Sequence, residues 1–231
     1  MQTDDKKWYK KRGNWLLLLA LLFLSLIFAF FFYLYGLINT EEWQRSQITQ
    51  VKPTIDEAAI EKITKDSYWM GTSSPKVTII EFGDFSCSSC KKSFYTIREI
   101  GLKYKDDVKI VFKDYPIISE NSPTLASAAR CAGEQGQGFF WSMYDKLFTY
   151  QGVTDKQKIV ELAKRAGVNI SRFNACFDNN KYQAKIGQDY QDGNSLQING
   201  TPTWFINGIK IEGNIPYDYF VQIIESLINK Q

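Results

Sequence analysis

The sequence contains no histidine. That absence removes a Ser–His–Asp triad, a Cys–His protease pair, imidazole metal ligands and the C-x-x-C-H attachment of haem. Acid–base work at neutral pH usually falls to histidine, so the C-x-x-C motif stands out as the main reactive group. Excess charge is scarce too: 28 Lys and Arg against 25 Asp and Glu leave +3. Nearly all of that excess sits before Gly13, and nothing points to a nucleic-acid-binding surface. Cysteine is limited to four residues, an even number that implies pairing only in an oxidising compartment. No internal repeat or low-complexity tract is present. What the chain does have is 44% hydrophobic and 15% aromatic residues in a length of 231. Once a membrane segment is set aside, that is about one domain with a sizeable core.

The membrane segment is the uncharged run WLLLLALLFLSLIFAFFFYLYGLI, Trp15 to Ile38. A helix needs about 20 apolar residues to span a bilayer. Trp15 stands at one end and Tyr33 and Tyr35 at the other, where amphipathic rings favour the headgroup level. Lys6, Lys7, Lys10, Lys11 and Arg12 precede the run, and Glu41 and Glu42 follow it. The positive-inside rule then expects a single-pass protein of the cell membrane, N-terminus in the cytoplasm and the rest outside. A cleaved signal peptide is the competing reading, but its apolar region would be about 7–15 residues long and end in an A-x-A-like site. Either reading delivers the domain to the same side.

The boundaries expected are a cytoplasmic tail (1–14), an anchor (15–38), a tether (39–70) and a folded domain (71–231). The tether holds one short amphipathic helix, about Thr54 to Lys65, which either packs on the domain or spaces it from the membrane. Within the domain, VTIIEF reads as a buried strand, FGDFSCSSC as a turn, KKSFYTIREIGLKY as a helix and VKIVFKDY as a second strand. Strand, helix, strand is a βαβ unit with a parallel pair. Residues 122–196 read as helices, with Ser122 as a cap before Pro123 and Gly167 as a stop. TWFI and IKIEG then flank an Asn207–Gly208 hairpin turn, and YDYFVQIIESLINK closes the chain as an amphipathic helix.

Disulfide exchange needs an attacking thiolate and a second thiol close enough to release the mixed disulfide. Cys87-Ser88-Ser89-Cys90 at a helix start supplies both. Free N–H groups and the helix dipole favour a thiolate at Cys87, and Lys91 and Lys92 add weak positive potential. Cys87 is therefore the expected exposed, low-pKa nucleophile and Cys90 the more buried resolving thiol. Half of a zinc site is the first alternative, but it needs ligands that a second C-x-x-C or histidines would supply. An inert structural disulfide is the second.

The segments SSPKVTIIEFGDFSCSSCKKSF, VKIVFKDYP, ASAARCAGEQGQGFFWSMYDKLF, FNACFDNNKY and INGTPTWFINGIKIEG make the chain resemble the DsbA-like branch of the thioredoxin superfamily, including its membrane-tethered members. The resemblance covers essentially all of 71–231. It implies an α/β, thioredoxin-like fold: a central mixed sheet flanked by helices, with an inserted helical subdomain at about 122–196, behind one transmembrane helix. By position, Cys87 matches the nucleophile, Cys90 the resolving cysteine, Pro202 the cis-proline beside the pair and Thr201 the residue before it; apart from the resemblance, Pro202 reads as an ordinary trans proline opening an edge strand. Glu81 matches the family's buried carboxylate, which relays the proton of Cys90. A solvent-facing strand-end glutamate is the other reading of Glu81, and Asp84 is its rival for the role. Cys131 and Cys176 match a second, structural disulfide; it would close about 45 residues, worth roughly 4 kcal/mol on the chain-entropy model. Two separate buried thiols is the alternative.

The resemblance implies an extracytoplasmic thiol–disulfide oxidoreductase that introduces disulfides into thiol-containing secreted or envelope proteins. Its partner would be a quinone-linked membrane oxidase of DsbB or vitamin-K-epoxide-reductase (VKOR) type, and it needs no metal or organic cofactor. Ser88–Ser89 departs from the Pro–His or Pro–Tyr of strongly oxidising relatives, which implies a less oxidising pair. A reductase or isomerase of the same fold, and a tethered chaperone or binding module, are the alternative functions.

Overall fold

The computed structural model describes residues 5–38 and 54–229. Two compact units divide the chain, Met1–Gln50 and Val51–Gln231. The first holds helix α1 (Asp5–Ile38), which begins inside the expected cytoplasmic tail. Within it, Leu17–Gly36 is long and apolar enough to cross a membrane, with mean hydropathy 2.8 and none of the window buried.

The second unit runs α2 (Glu57–Thr64), β1 (Tyr68–Gly71), β2 (Val77–Gly83), α3 (Ser88–Lys103), β3 (Val108–Asp114), α4 (Ser122–Gly133) and α5 (Gln137–Thr149). It continues with α6 (Lys156–Arg165), α7 (Ile170–Asp178), α8 (Gln183–Ser195), β4 (Thr203–Ile206), β5 (Ile209–Glu212) and α9 (Tyr217–Ile228). The five strands form one mixed sheet in the order β1-β3-β2-β4-β5. β2 and β3 are parallel, joined by α3 as a crossover, and every other pair is antiparallel. β2 and β3 are buried over nearly their whole length, which is why their sequences are apolar runs rather than alternations. The β4–β5 turn has positive φ at both Asn207 (45°) and Gly208 (83°), as a two-residue turn matching strand twist requires. Helices α4 to α8 form one block between β3 and β4, the position expected for the insertion.

The expected boundary at residue 71 is corrected. β1 lies inside the stretch read as tether and pairs with β3, Tyr68 opposite Phe112 and Gly71 opposite Lys109. Four residues are too few for a pattern in sequence to declare a strand. The short helix belongs to the domain as well. Its cap is Asp56, which accepts the Ala59 amide at 2.8 Å. Ile55, Ile60 and Ile63 pack on the cluster of Ile80, Phe82, Val111, Tyr115, Ile198 and Phe205. The remainder of the expected tether, 39–53, lies outside the described residues. The cap of α4 is Asn121 rather than Ser122, which is the first helical residue.

Two covalent and ionic ties fasten the helical block. Cys131 of α4 and Cys176 of α7 form a disulfide with Cα atoms 5.6 Å apart. Beneath it lies a buried network that the sequence reading did not contain. Lys113 of β3 meets Asp189 of α8 at 2.5 Å and Asp192 at 2.8 Å. Arg130 of α4 bonds both Asp114 and Asp189. Lys113, Asp114, Arg130 and Asp189 are each at most 1% exposed.

Candidate redox site

β2 delivers its chain to the start of α3 through the turn Asp84 to Ser86. Asp84 builds that turn: one carboxylate oxygen accepts the Ser86 amide at 2.7 Å, and the other accepts the amides of Ile117 and Ile118 at 2.8 Å each. Both oxygens of the rival carboxylate are therefore engaged by main chain. Cys87 is the N-cap of α3, in extended conformation, and its sulfur accepts the Cys90 amide at 3.3 Å. Ser, Thr, Asp or Asn normally fills this position with an oxygen acceptor. A sulfur there faces the unpaired N–H groups of the first helical turn, which favour its anion.

The Thr201–Pro202 peptide, which is cis, lies against the pair. The Cys87 thiol donates to the Thr201 carbonyl at 3.1 Å. The Thr201 hydroxyl is buried without another partner among the described residues, so its proton is free to turn to the thiolate. Cys87 is only 4% exposed, so the expectation of an exposed nucleophile is corrected: the Thr201 segment sits against its sulfur. Cys90 is fully buried.

Both thiols are free, and their acidities diverge. A hydrogen bond from the Cys90 thiol, with further help from the Thr201 side chain and the amides of Cys90 and Ser89, lowers Cys87 from 9.0 to about 6 against the opposing effect of burial. Burial, the bond to Cys87 and the charge of Glu81 push Cys90 well above the ordinary thiol value. The largest lowering effect at Cys87 is the hydrogen bond from Cys90.

Glu81 is fully buried in the central strand, between Phe112 of β3 and Trp204 of β4 in register. The solvent-facing reading is therefore excluded. Burial raises its carboxyl from 4.5 to about 8, offset in part by a hydrogen bond from Tyr144 and reinforced by the charge of Cys87. The Tyr144 hydroxyl donates to Oε2 at 2.9 Å, whereas Oε1 has no partner among the described residues. Gly83, two residues on, is required by space: a Cβ there would stand 2.6 Å from the Phe112 ring and 3.2 Å from Oε1. The structure thus gathers Cys87, Cys90, Glu81, Thr201 and Pro202 at one end of the sheet. Cys131 and Cys176 lie apart from them, in the helical block.

Two site residues escaped sequence reasoning. Tyr144 of α5 is one aromatic among several in GFFWSMYDKLFT, with nothing in the pattern to separate it from core. Gln151, just beyond α5, donates its amide to the carbonyls of Phe85 at 3.0 Å and Cys87 at 2.8 Å, and so braces the loop that carries Cys87.

A family sequence model described as Thioredoxin matches residues 63–226. The thiol-disulfide exchange protein alpha-DsbA2 of Wolbachia pipientis is similar in fold, with a TM-score of 0.68 at 20% identity over 81% of this chain and 97% of that one. Oxidised BdbD of Bacillus subtilis aligns with a TM-score of 0.65 at 24% identity, covering 73% of this chain and 95% of that one. Among curated proteins, the Na(+)/H(+) antiporter NhaA 1 of Salinispora arenicola is 29% identical over 140 residues, 60% of this chain and 21% of that protein. The protein of that name from Mycolicibacterium gilvum is 30% identical over 145 residues, 62% of this chain and 23% of its own length. The chain thus spans less than a quarter of the length of these curated relatives.

Proposed function

This chain belongs to the thioredoxin family, its family match spanning residues 63–226, and from that premise we propose that it is a thiol–disulfide oxidoreductase that introduces disulfides into proteins outside the cytoplasm through Cys87 and Cys90. The opposed acidities of the two thiols carry the reading: Cys87 is lowered to about 6 while Cys90 is raised. Stabilising the thiolate stabilises the reduced enzyme, and a stable reduced form makes the disulfide a better oxidant. The value for Cys87 falls between about 3.5 for DsbA and about 7 for thioredoxin, in keeping with the Ser–Ser dipeptide.

In the reaction, a substrate thiolate attacks the Cys87 sulfur of the oxidised pair. The Cys87–Cys90 bond breaks, and Cys90 departs as a thiolate that takes a proton from the Glu81 carboxyl. The substrate's second thiolate then attacks its own sulfur in the mixed disulfide. A substrate disulfide forms, Cys87 leaves as a thiolate, and two electrons have passed from substrate to enzyme. The main chain at Thr201, beside Pro202, pairs with the extended substrate. A quinone-linked membrane oxidase of DsbB or VKOR type collects the electrons, and the α1 anchor raises the effective concentration of the domain near it. The positive N-terminal flank sets the orientation, N-terminus inside. Cys131–Cys176 serves as a structural bond. No ion transport is proposed: the antiporter matches cover at most 23% of those two proteins.

The test uses the oxidised full chain in detergent micelles with a reduced, unfolded protein that has two cysteines. Wild type yields one substrate disulfide per enzyme disulfide consumed, and Cys87→Ala yields none. A wild type that yields no substrate disulfide would make the chain a binding module, and a Cys87→Ala variant as effective as wild type would move the activity away from Cys87; either result would overturn the reading.

A further inference from the structure

Among the described residues, Glu81 is a carboxyl paired with no cation. The groups that set its acidity are burial, the Tyr144 hydroxyl and Cys87. The charges of the neighbouring strand β3 are engaged elsewhere, Lys113 by Asp189 and Asp192 and Asp114 by Arg130. From α3 the titratable groups acting on it are the two cysteines. From α5 it is Tyr144, and Asp84 at the end of β2 is held by main-chain amides. Tyr144 is itself buried among aromatic rings, its centroid 4.8 Å from Phe148, 5.0 Å from Trp141, 5.2 Å from Phe112 and 5.9 Å from Phe85. A ring packed in this way fixes where its hydroxyl points. Oε2 is thereby occupied, and Oε1 is left buried and unpartnered, against the ordinary rule that buried polar atoms find partners.

We propose that Tyr144 is a positioning residue for proton transfer at the dithiol: by holding Oε2 it fixes the Glu81 carboxyl and reserves Oε1 as the oxygen that exchanges a proton with Cys90. This inference rests on the assignment of Cys87–Cys90 as the redox pair and Glu81 as its relay. The step it governs is the closure of the pair. Cys90 gives its proton to Oε1 of ionised Glu81 and its sulfur attacks Cys87. The bond from Cys87 to the outgoing thiol breaks, that thiol leaves with the electron pair, and the two enzyme sulfurs become oxidised. The phenol favours the ionised carboxyl through its hydrogen bond and so sets the pH at which the base becomes available.

The experiment follows that closure. Reduced full chain in detergent is mixed with oxidised glutathione, and the decay of the Cys87–glutathione mixed disulfide is followed by acid quench and mass spectrometry from pH 5 to about 9.5. Wild type gives a rate that rises with pH through a midpoint well above the ordinary carboxylate range, because burial raises Glu81 even when Cys87 is tied up in the mixed disulfide. Tyr144→Phe moves that midpoint up by about one pH unit and slows closure about tenfold at pH 7, as loss of a hydrogen bond to a charged group implies. Site-specific 3-fluorotyrosine at 144 is a stronger donor of nearly unchanged shape and moves the midpoint down, a measurement that stands even where Tyr144→Phe folds poorly. Midpoints unmoved in both would overturn the positioning role. Glu81→Gln separates the two levels: it abolishes the rising limb if Glu81 is the relay, and a retained limb overturns the relay and this inference together. No closure in wild type would instead overturn the redox pair.

Discussion

At the scale of single residues, the site is a problem of where one proton and one negative charge are allowed to sit. Cys87 caps a helix with sulfur, so its anion meets donors that would otherwise point at nothing. Cys90, one turn inside, is fully buried with a buried carboxyl acting on it. Because Cys87 is lowered from 9.0 to about 6 in the fold, it contributes stability to the reduced protein that is complete above pH 9 and lost as pH falls through about 6. The oxidised protein has no such thiolate. Denaturant midpoints of the two forms, measured from pH 5 to about 8.5, should therefore show the reduced form gaining on the oxidised form as pH rises. Ultraviolet thiolate absorbance should report the same midpoint near 6, and a single thiol titrating near 9 would contradict it. The C-x-x-C pair was legible because its residue types and spacing are the chemistry, whereas Pro202 was singled out by resemblance alone, since by itself it reads as an ordinary trans proline opening an edge strand. Glu81 was legible by resemblance, while its burial needed the sheet around it. Tyr144 and Gln151 were not legible, since each acts across more than 60 residues of chain.

Elements were readable in proportion to their length and periodicity. β2 and β3 are seven residues each and nearly all apolar or buried, and α9 has a clear apolar face. β1 is four residues long and owes its existence to the edge of β3, a partner that local pattern cannot reveal. The same holds for the ionic network that joins β3, α4 and α8. Lys113, Asp114, Arg130 and Asp189 carry no pattern in sequence that marks them out, yet all are buried. Burial pushes Asp114 up, and Arg130 opposes that shift, so the carboxylate depends on its guanidinium partner. Replacing Arg130 by Met keeps much of the volume but strands Asp114 and leaves Asp189 to Lys113. The expected cost is about 3–5 kcal/mol of unfolding free energy at neutral pH, by urea denaturation. A loss below about 1 kcal/mol would show that the network carries no charge worth compensating.

On the scale of the whole molecule, an apolar helix precedes a domain whose reactive sulfurs lie at one end of its sheet. Composition made the long apolar helix of Trp15 to Ile38 legible, and the order of strands and helices made the fold legible. The start of the domain was not, because α2 and β1 are short and their apolar residues are few. The direction of electron flow is a property of no single element: it is the difference in free energy between two redox states of the assembled site. The most direct test is the equilibrium reduction potential of Cys87–Cys90 in the full chain, against glutathione, with Cys131 and Cys176 tracked separately by mass spectrometry. Introduction of disulfides predicts a potential above about −200 mV, toward the oxidising members of the superfamily. A potential near or below about −250 mV would contradict it and make the protein a reductase.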